Sequence, residues 1–271
     1  MSALAVRVYR GQAPLPALDP ADRGLAYGDG LFETMRVARG RLPWWPAHHA
    51  RLQRGAGALG FAPPPRDWLE AELAALLAGA PAEGVLKLVL TRGPGGRGYA
   101  PQGAGEPTLL LSLHPLPAVI DEPLVLRWCS LRMAIQPALA GLKHLNRLEQ
   151  VLARAEWDDP CVHEGLLLDT RGRVACATAA NVFALVGGRW LTPRVHECGV
   201  AGVARAWVLA HAGEAAEAEL SPADVESAEA LFLCNAVRGI LPVGRLGERR
   251  WPPHAGLRTL REAMGRELAA G

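Results

Sequence analysis

Two prolines within four residues, His114-Pro115-Leu116-Pro117, constrain the folding of this 271-residue chain more than any other stretch. Proline fixes φ and lacks a backbone N–H, so such a segment continues neither a helix nor a strand ladder. The length alone allows one large domain or two smaller ones. The prolines predict two: a smaller N-terminal α/β domain over 1–113, a linker over 114–120, and a larger C-terminal domain over 121–271.

Both sides of the linker mix the two periodicities, which predicts an α+β or mixed α/β fold. Before it, strands are expected at Leu4 to Tyr9, Phe32 to Val37, Val85 to Leu90 and Thr108 to Leu113, with helices at His48 to Leu59 and Trp68 to Leu77. After it, a strand at Leu124 to Ser130 precedes a hairpin of Gly165 to Asp169 with Val174 to Phe183, turning through Arg171-Gly172. Asn181 to Val186 and Arg189 to Thr192 pair across Gly187-Gly188, Ala206 to His211 is helical, and Ala230 to Ala236 is a strand.

Composition removes several function classes. The chain is 50% hydrophobic and 21% charged with net charge +2, too apolar for disorder and too evenly charged for a nucleic-acid footprint. No apolar run approaches the roughly 20 residues of a membrane helix, and no signal-like segment opens the chain. Five dispersed cysteines without a C-x-x-C spacing point to a reduced, cytoplasmic protein. His48 and His49 are adjacent and no H-E-x-x-H occurs, so no metal centre is expected.

Of 29 basic residues only two are lysine, Lys87 and Lys143. A position that needs only positive charge is evidently free to be arginine here, but arginine cannot lose its proton and attack a carbonyl. Lys87 lies in a strand pattern and reads as a strand-edge or surface charge. Lys143 follows Ala140-Gly141-Leu142 and opens a run in which Leu145, Leu148, Leu152 and Ala155 recur at helical spacing. A cation at the positive end of a helix dipole is mildly unfavourable, which argues for a purpose.

Three glycine-rich stretches are candidates for ligand contact. Asp22 to Arg36 contains Tyr27-Gly28-Asp29-Gly30 ahead of a strand, and taken alone it reads as a turn. Gly199 to Arg205 feeds a helix, whose N-terminal N–H groups form a general anion site, though most such patterns are simple turns. Arg92-Gly93-Pro94-Gly95-Gly96-Arg97-Gly98-Tyr99 lacks the Lys-Ser/Thr of a phosphate loop and the repeats of an RNA-binding segment. A pinned loop aiming Arg97 at a carboxylate is favoured.

Together, Y-G-D-G-L-F-E-T, the H-x-x-R-L of His48 to Leu52, R-G-P-G-G-R-G-Y, G-L-K-H-L-N-R-L-E-Q, A-A-N-V-F, G-V-A-G-V-A-R and L-C-N-A-V-R-G-I-L-P-V resemble the aminodeoxychorismate lyases. These are fold-type IV pyridoxal-phosphate enzymes, grouped with branched-chain and D-amino-acid aminotransferases. The likeness runs in unbroken order over roughly residues 4 to 243. It implies a two-domain fold-type IV architecture, pyridoxal 5'-phosphate as cofactor, a homodimer with the site near its interface, and release of pyruvate from 4-amino-4-deoxychorismate to give 4-aminobenzoate.

The resemblance also implies roles. Lys143 holds the cofactor and later shuttles the α-proton. Arg51 binds its phosphate, with the N–H groups of Val203 and Ala204 and the strand end at Asn235, while Arg147, one helical turn past Lys143, faces the ring oxygen. Arg97 and Tyr99 grip a substrate carboxylate. Cys176 falls where the family has a glutamate against the pyridine nitrogen, and a neutral thiol is a weaker partner there. An aminotransferase of the same fold, or a non-catalytic cofactor-binding homologue, would share most of these residues.

Overall fold

The computed structural model describes residues 3–270. The chain divides into two compact units, the first made of residues up to Pro117 with Lys143–Asn146 and the last helix from Glu267, the second of Ala118–Leu142 and Arg147–Arg266.

The first unit holds β1 (Ala5–Arg10), β2 (Ala13–Leu15), α1 (Arg23–Tyr27), β3 (Gly30–Ala38), α2 (Trp45–Leu59), α3 (Arg66–Leu77), β4 (Glu83–Thr91) and β5 (Thr108–His114). Its sheet is antiparallel in the order β2-β1-β5-β4-β3. Strict alternation sorts its residues by face. Leu31, Met35 and Val37 of β3, Leu86, Leu88 and Leu90 of β4, and Leu109, Leu111 and Leu113 of β5 form one core with Leu52 and Ala56 of α2 and Leu69 and Leu73 of α3. The opposite face carries the register pairs Phe32 with Val89, Thr34 with Lys87, and Lys87 with Ser112.

The second unit contains β6 (Leu124–Met133), α4 (Leu148–Arg154), β7 (Glu164–Asp169), β8 (Val174–Ala177), β9 (Asn181–Val186), β10 (Arg189–Pro193), α5 (Val203–His211), β11 (Ala216–Ala218), α6 (Pro222–Ser227), β12 (Ala230–Asn235), β13 (Gly239–Leu246), β14 (Arg249–Arg250) and most of α7 (Ala255–Ala270). Its mixed sheet runs β11-β10-β9-β12-β13-β6-β7-β8, with β14 paired to β13. Phe183 and Phe232 stack at 5.0 Å between β9 and β12. Leu166, Val182, Leu231 and Leu233 belong to the main core of this unit.

The structure corrects three sequence expectations. Val174 to Phe183 is not one strand: β8 stops at Ala177, a turn closed by Ala177 N–H on the Ala180 carbonyl (2.9 Å) follows, and β9 begins at Asn181. Lys143 does not enter a helix. The Phe32 N–H donates to the Lys143 carbonyl and the Leu145 N–H to the Gly30 carbonyl, both at 2.9 Å, which requires extended backbone and delays α4 to Leu148. The same pairing clusters Lys143–Asn146 with the first unit, whereas the sequence reading gave the lysine to the C-terminal domain. The leucine spacing misled because Leu148 and Leu152 are 75% and 60% exposed rather than core.

Leu88 is fully buried between the sheet and its two helices. Leu88→Ala is expected to cost about 2–5 kcal/mol through lost transfer energy and a residual cavity. Urea unfolding is the measurement, and a loss under about 1 kcal/mol would mean that this core repacks freely.

Candidate active site

In the first unit, the short extended segment around Lys143 lengthens the sheet beyond β3, with Leu31 bridged to His144. This sets the Lys143 Nζ over the Phe32 ring, 4.1 Å from its centroid, on the sheet face opposite the helices. Close approach depends on Gly30, where an added Cβ would stand 2.6 Å from the Leu90 carbonyl oxygen and 2.9 Å from Leu145. Asn146 Nδ2 donates to the Gly28 carbonyl at 3.1 Å and fixes the far end of the segment.

Arg51 lies on α2 and is buried. Its Nε donates to Glu33 Oε1 at 2.8 Å and its Nη2 to Glu33 Oε2, while His48 Nδ1 donates to Glu33 Oε2 at 2.7 Å. Burial alone would raise the Glu33 carboxyl, but the hydrogen bonds from Arg51 and His48 outweigh it and hold the group below its ordinary value. Burial depresses His48 despite the pull of Glu33, and the charges of Arg51 and Lys143 push the same way. A neutral His48 that donates through Nδ1 leaves Nε2 as a bare acceptor, and this atom is buried without a hydrogen-bond partner.

Arg97 is exposed and Tyr99 is 84% exposed, yet the backbone between them is fixed from beneath. Buried Arg23 donates to the carbonyls of Gly98 (3.2 Å), Tyr99 (2.9 Å) and Ala100 (3.2 Å). Its Nε bonds Asp29, which also accepts from Arg92 Nε at 2.8 Å. Burial opposes ionisation of Asp29, and the bonds from Arg92 and Arg23 prevail, so its pKa falls. The Tyr99 ring meets Tyr27 edge-on at 5.4 Å.

In the second unit, Val203 and Ala204 open α5 behind Gly202, which supplies no side-chain cap. A Cβ on Gly202 would stand 2.0 Å from Asn181 Oδ1, so only glycine fits and the first N–H groups of α5 stay uncapped. Asn235 comes to the same end of the sheet: Cys234 pairs with Asn181, and Asn235 Nδ2 donates to the Ala179 carbonyl at 3.4 Å. Asn235 Oδ1 accepts from the N–H groups of Val237 and Arg238 at 3.1 and 2.9 Å, a local turn that occupies this oxygen.

Cys176 and Arg147 form a second group in this unit. Cys176 is buried with Cys129, Met133, Ala153, Trp157 and Leu167, its Sγ 3.5 Å from Met133 Sδ. Burial pushes its thiol up to about 12, with Cys198 adding to the rise and Arg147 opposing it. The group is a neutral thiol at physiological pH. Burial lowers Arg147, whose Nη2 donates to the Leu142 carbonyl at 3.2 Å.

The residues that sequence reasoning missed are partners of those it found. Glu33, Arg23 and Asn146 act through contacts 18, 75 to 77, and 118 residues away, which no local pattern reveals. Asp29 and Phe32 lie within the Y-G-D-G-L-F-E-T stretch, which taken alone reads as a turn ahead of a strand.

The profile of the amino-transferase class IV family matches residues 30–246. An aminodeoxychorismate lyase of Vibrio harveyi is 35% identical over 233 residues, covering 82% of this chain and 84% of that protein. The crystal structure of 4-amino-4-deoxychorismate lyase from Pseudomonas aeruginosa superposes with a TM-score of 0.90 at 42% identity, over 97% of this chain and 99% of that one. A hypothetical aminotransferase from Mycobacterium tuberculosis in its PLP-bound form shares the fold, with a TM-score of 0.83 at 20% identity over 97% and 99%.

Glu33 and His48 both have folded pKa values below their ordinary 4.5 and 6.5. The folded state therefore binds fewer protons than the unfolded chain, and stability rises with pH. The His48 contribution is fully present above pH 6.5 and is lost as pH falls, and that of Glu33 is lost below 4.5. His49, lowered mainly by burial, adds to the first phase. His48→Gln can still donate to Glu33 and is expected to flatten the fall in melting temperature between pH 6.5 and 4.5; an unaltered slope would refute the assignment.

Proposed function

The chain belongs to the amino-transferase class IV family, and from that membership we propose that it is a pyridoxal-phosphate-dependent lyase releasing pyruvate from 4-amino-4-deoxychorismate to form 4-aminobenzoate. The observation that carries this reading is Lys143: it is one of two lysines among 29 basic residues and is anchored by backbone bonds over an aromatic ring. The 35–42% identity to aminodeoxychorismate lyases over most of both chains supports the specific reaction.

The residues present suit the cofactor. Lys143 offers the one chemistry arginine cannot, and the uncapped α5 N-terminus suits a phosphate through its dipole and free N–H groups. Arg51 is the proposed side-chain partner of that phosphate, Arg147 that of the ring oxygen, and Cys176 the residue facing the ring nitrogen. Asn235 contributes by shaping the turn rather than through its occupied oxygen. Pyridoxal phosphate, when bound, supplies the electron sink that no side chain possesses.

Lys143 Nζ would hold the cofactor and would accept the proton from the ring carbon bearing the substrate amine. Loss of that proton and of the enolpyruvyl oxygen from the neighbouring carbon leaves an aromatic ring, and the released enol takes up a proton as pyruvate. Arg97, with Tyr99 beside it, is proposed to hold a substrate carboxylate through its planar fork.

The proposed assembly is a homodimer. In support, Leu148, Val151 and Leu152 on α4 are 75%, 59% and 60% exposed, and large apolar side chains gathered on one helix face mark an interface. A cytoplasmic location accords with five free cysteines, and among the described residues no helix is long and apolar enough to cross a membrane.

The purified holoprotein is expected to be yellow and to convert 4-amino-4-deoxychorismate to 4-aminobenzoate and pyruvate. Amino-group transfer to a keto acid without pyruvate release would instead indicate an aminotransferase. Lys143→Arg should keep the fold and lose the borohydride-reducible cofactor adduct; an adduct that survives, or maps to Lys87, overturns the assignment. Sedimentation should give a dimer that Val151→Glu shifts towards monomer. An active monomer in the unaltered protein would refute the assembly.

A further inference from the structure

The scarcity that singles out Lys143 applies equally to Lys87. Both lysines stand over the same ring: Lys143 Nζ lies 4.1 Å and Lys87 Nζ 5.7 Å from the Phe32 centroid. The two nitrogens are thus no farther apart than those distances combined. Nor is Lys87 an edge charge, because β4 lies between β5 and β3. Its cross-strand partners Thr34 and Ser112 share its face, the one turned away from α2 and α3. Among the described residues no carboxylate pairs with it, and its side chain is exposed. A surface ammonium held only by solvent could as well be arginine, as at 27 other positions.

We infer that Lys87 is a specificity-determining residue whose ammonium receives the ring carboxylate of the substrate, the one retained in the product. The inference rests on the proposed reaction. In 4-amino-4-deoxychorismate this carboxylate stands across the ring from the amine that engages at Lys143. Two ammonium groups over one aromatic side chain stand close enough to engage the two ends of a single small ring, with the apolar Phe32 ring beside them. The other carboxylate departs with pyruvate from the carbon next to the amine and is left to Arg97. A compact ammonium with three rotatable donors serves a carboxylate arriving on a flat ring, which needs a charge at a fixed place rather than a fork.

The test uses holoenzyme with Lys87→Met and Lys87→Arg, measuring KM, kcat, melting temperature, and inhibition by 4-aminobenzoate and by pyruvate. Calorimetric binding of 4-aminobenzoate provides a readout independent of turnover. Loss of one charge-assisted contact should weaken substrate KM and 4-aminobenzoate binding by about 10- to 100-fold in Lys87→Met. Pyruvate inhibition and melting temperature should stay unchanged, and Lys87→Arg should recover only part of the loss, because the charge is kept while the compact ammonium is not. Turnover by the wild type together with 4-aminobenzoate binding that Lys87→Met leaves intact, or pyruvate inhibition that weakens equally, overturns this inference and leaves the reaction standing. A Lys87→Arg protein with the KM and 4-aminobenzoate affinity of the wild type would also overturn it, since the ammonium itself would not be what the substrate reads. Absence of 4-aminobenzoate formation by the wild type overturns both.

Discussion

Two backbone hydrogen bonds decide where the Lys143 side chain stands. The Phe32 N–H on the Lys143 carbonyl and the Leu145 N–H on the Gly30 carbonyl turn four residues of an otherwise separate stretch into an outer rung of the first sheet. A flexible four-carbon side chain normally surrenders about 2 kcal/mol of rotamer freedom when ordered. Here the backbone at its root is fixed, and the Phe32 ring offers its ammonium a favourable face. Gly30 makes the approach possible and Asn146 closes its far end. The lysine's position is therefore set by main-chain pairing, with Gly30 and Asn146 as the two residues on which that pairing depends.

Much of the first unit was legible because its strands obey a strict two-residue alternation. Leu86, Leu88 and Leu90 face a core, and Lys87 between them faces the other way. The same alternation that predicted a strand also carried the information about which face Lys87 occupies. What could not be read locally was that β4 sits inside the sheet, because strand order is set by contacts remote in sequence. The helix expected from Lys143 onward failed for a related reason. Leucine spacing reports helical propensity whether the leucines face a core or solvent, and pairing with β3 outweighed propensity over the first residues. The candidate site residues named from motifs are those whose chemistry is distinctive on its own. Glu33 and Arg23 draw their meaning wholly from partners, Arg51 and His48 for one and three loop carbonyls for the other.

Charge is handled differently in the two units. Around Arg51 the first unit buries ions and neutralises them at once, with Glu33 bonded by both a guanidinium and an imidazole. Such a cluster is costly to break and gives a fixed geometry more than net stability. Around Cys176 the second unit avoids ions: the thiol stays protonated, and the nearest cation, Arg147, is only partly dehydrated beside it. A carboxylate at position 176 would face the apolar walls of Cys129, Met133 and Trp157 with Arg147 as its one nearby countercharge. The environment there thus matches the residue it has, and a ring nitrogen placed against it would meet a weak donor rather than an ion.

The loop that follows β4 separates two properties usually bound together in recognition loops. Arg23 grips three consecutive carbonyls of Gly98, Tyr99 and Ala100 from below, so the main chain owes its shape to a side chain outside the loop. The side chain of Arg97 is left facing solvent, while that of Tyr99, though 84% exposed, adds only an edge-on contact with Tyr27. Sequence at 97 is thereby uncoupled from loop conformation. Such a loop is a rigid mount with an interchangeable head: position 97 is open to diversification while the ordering entropy of the backbone remains paid by Arg23.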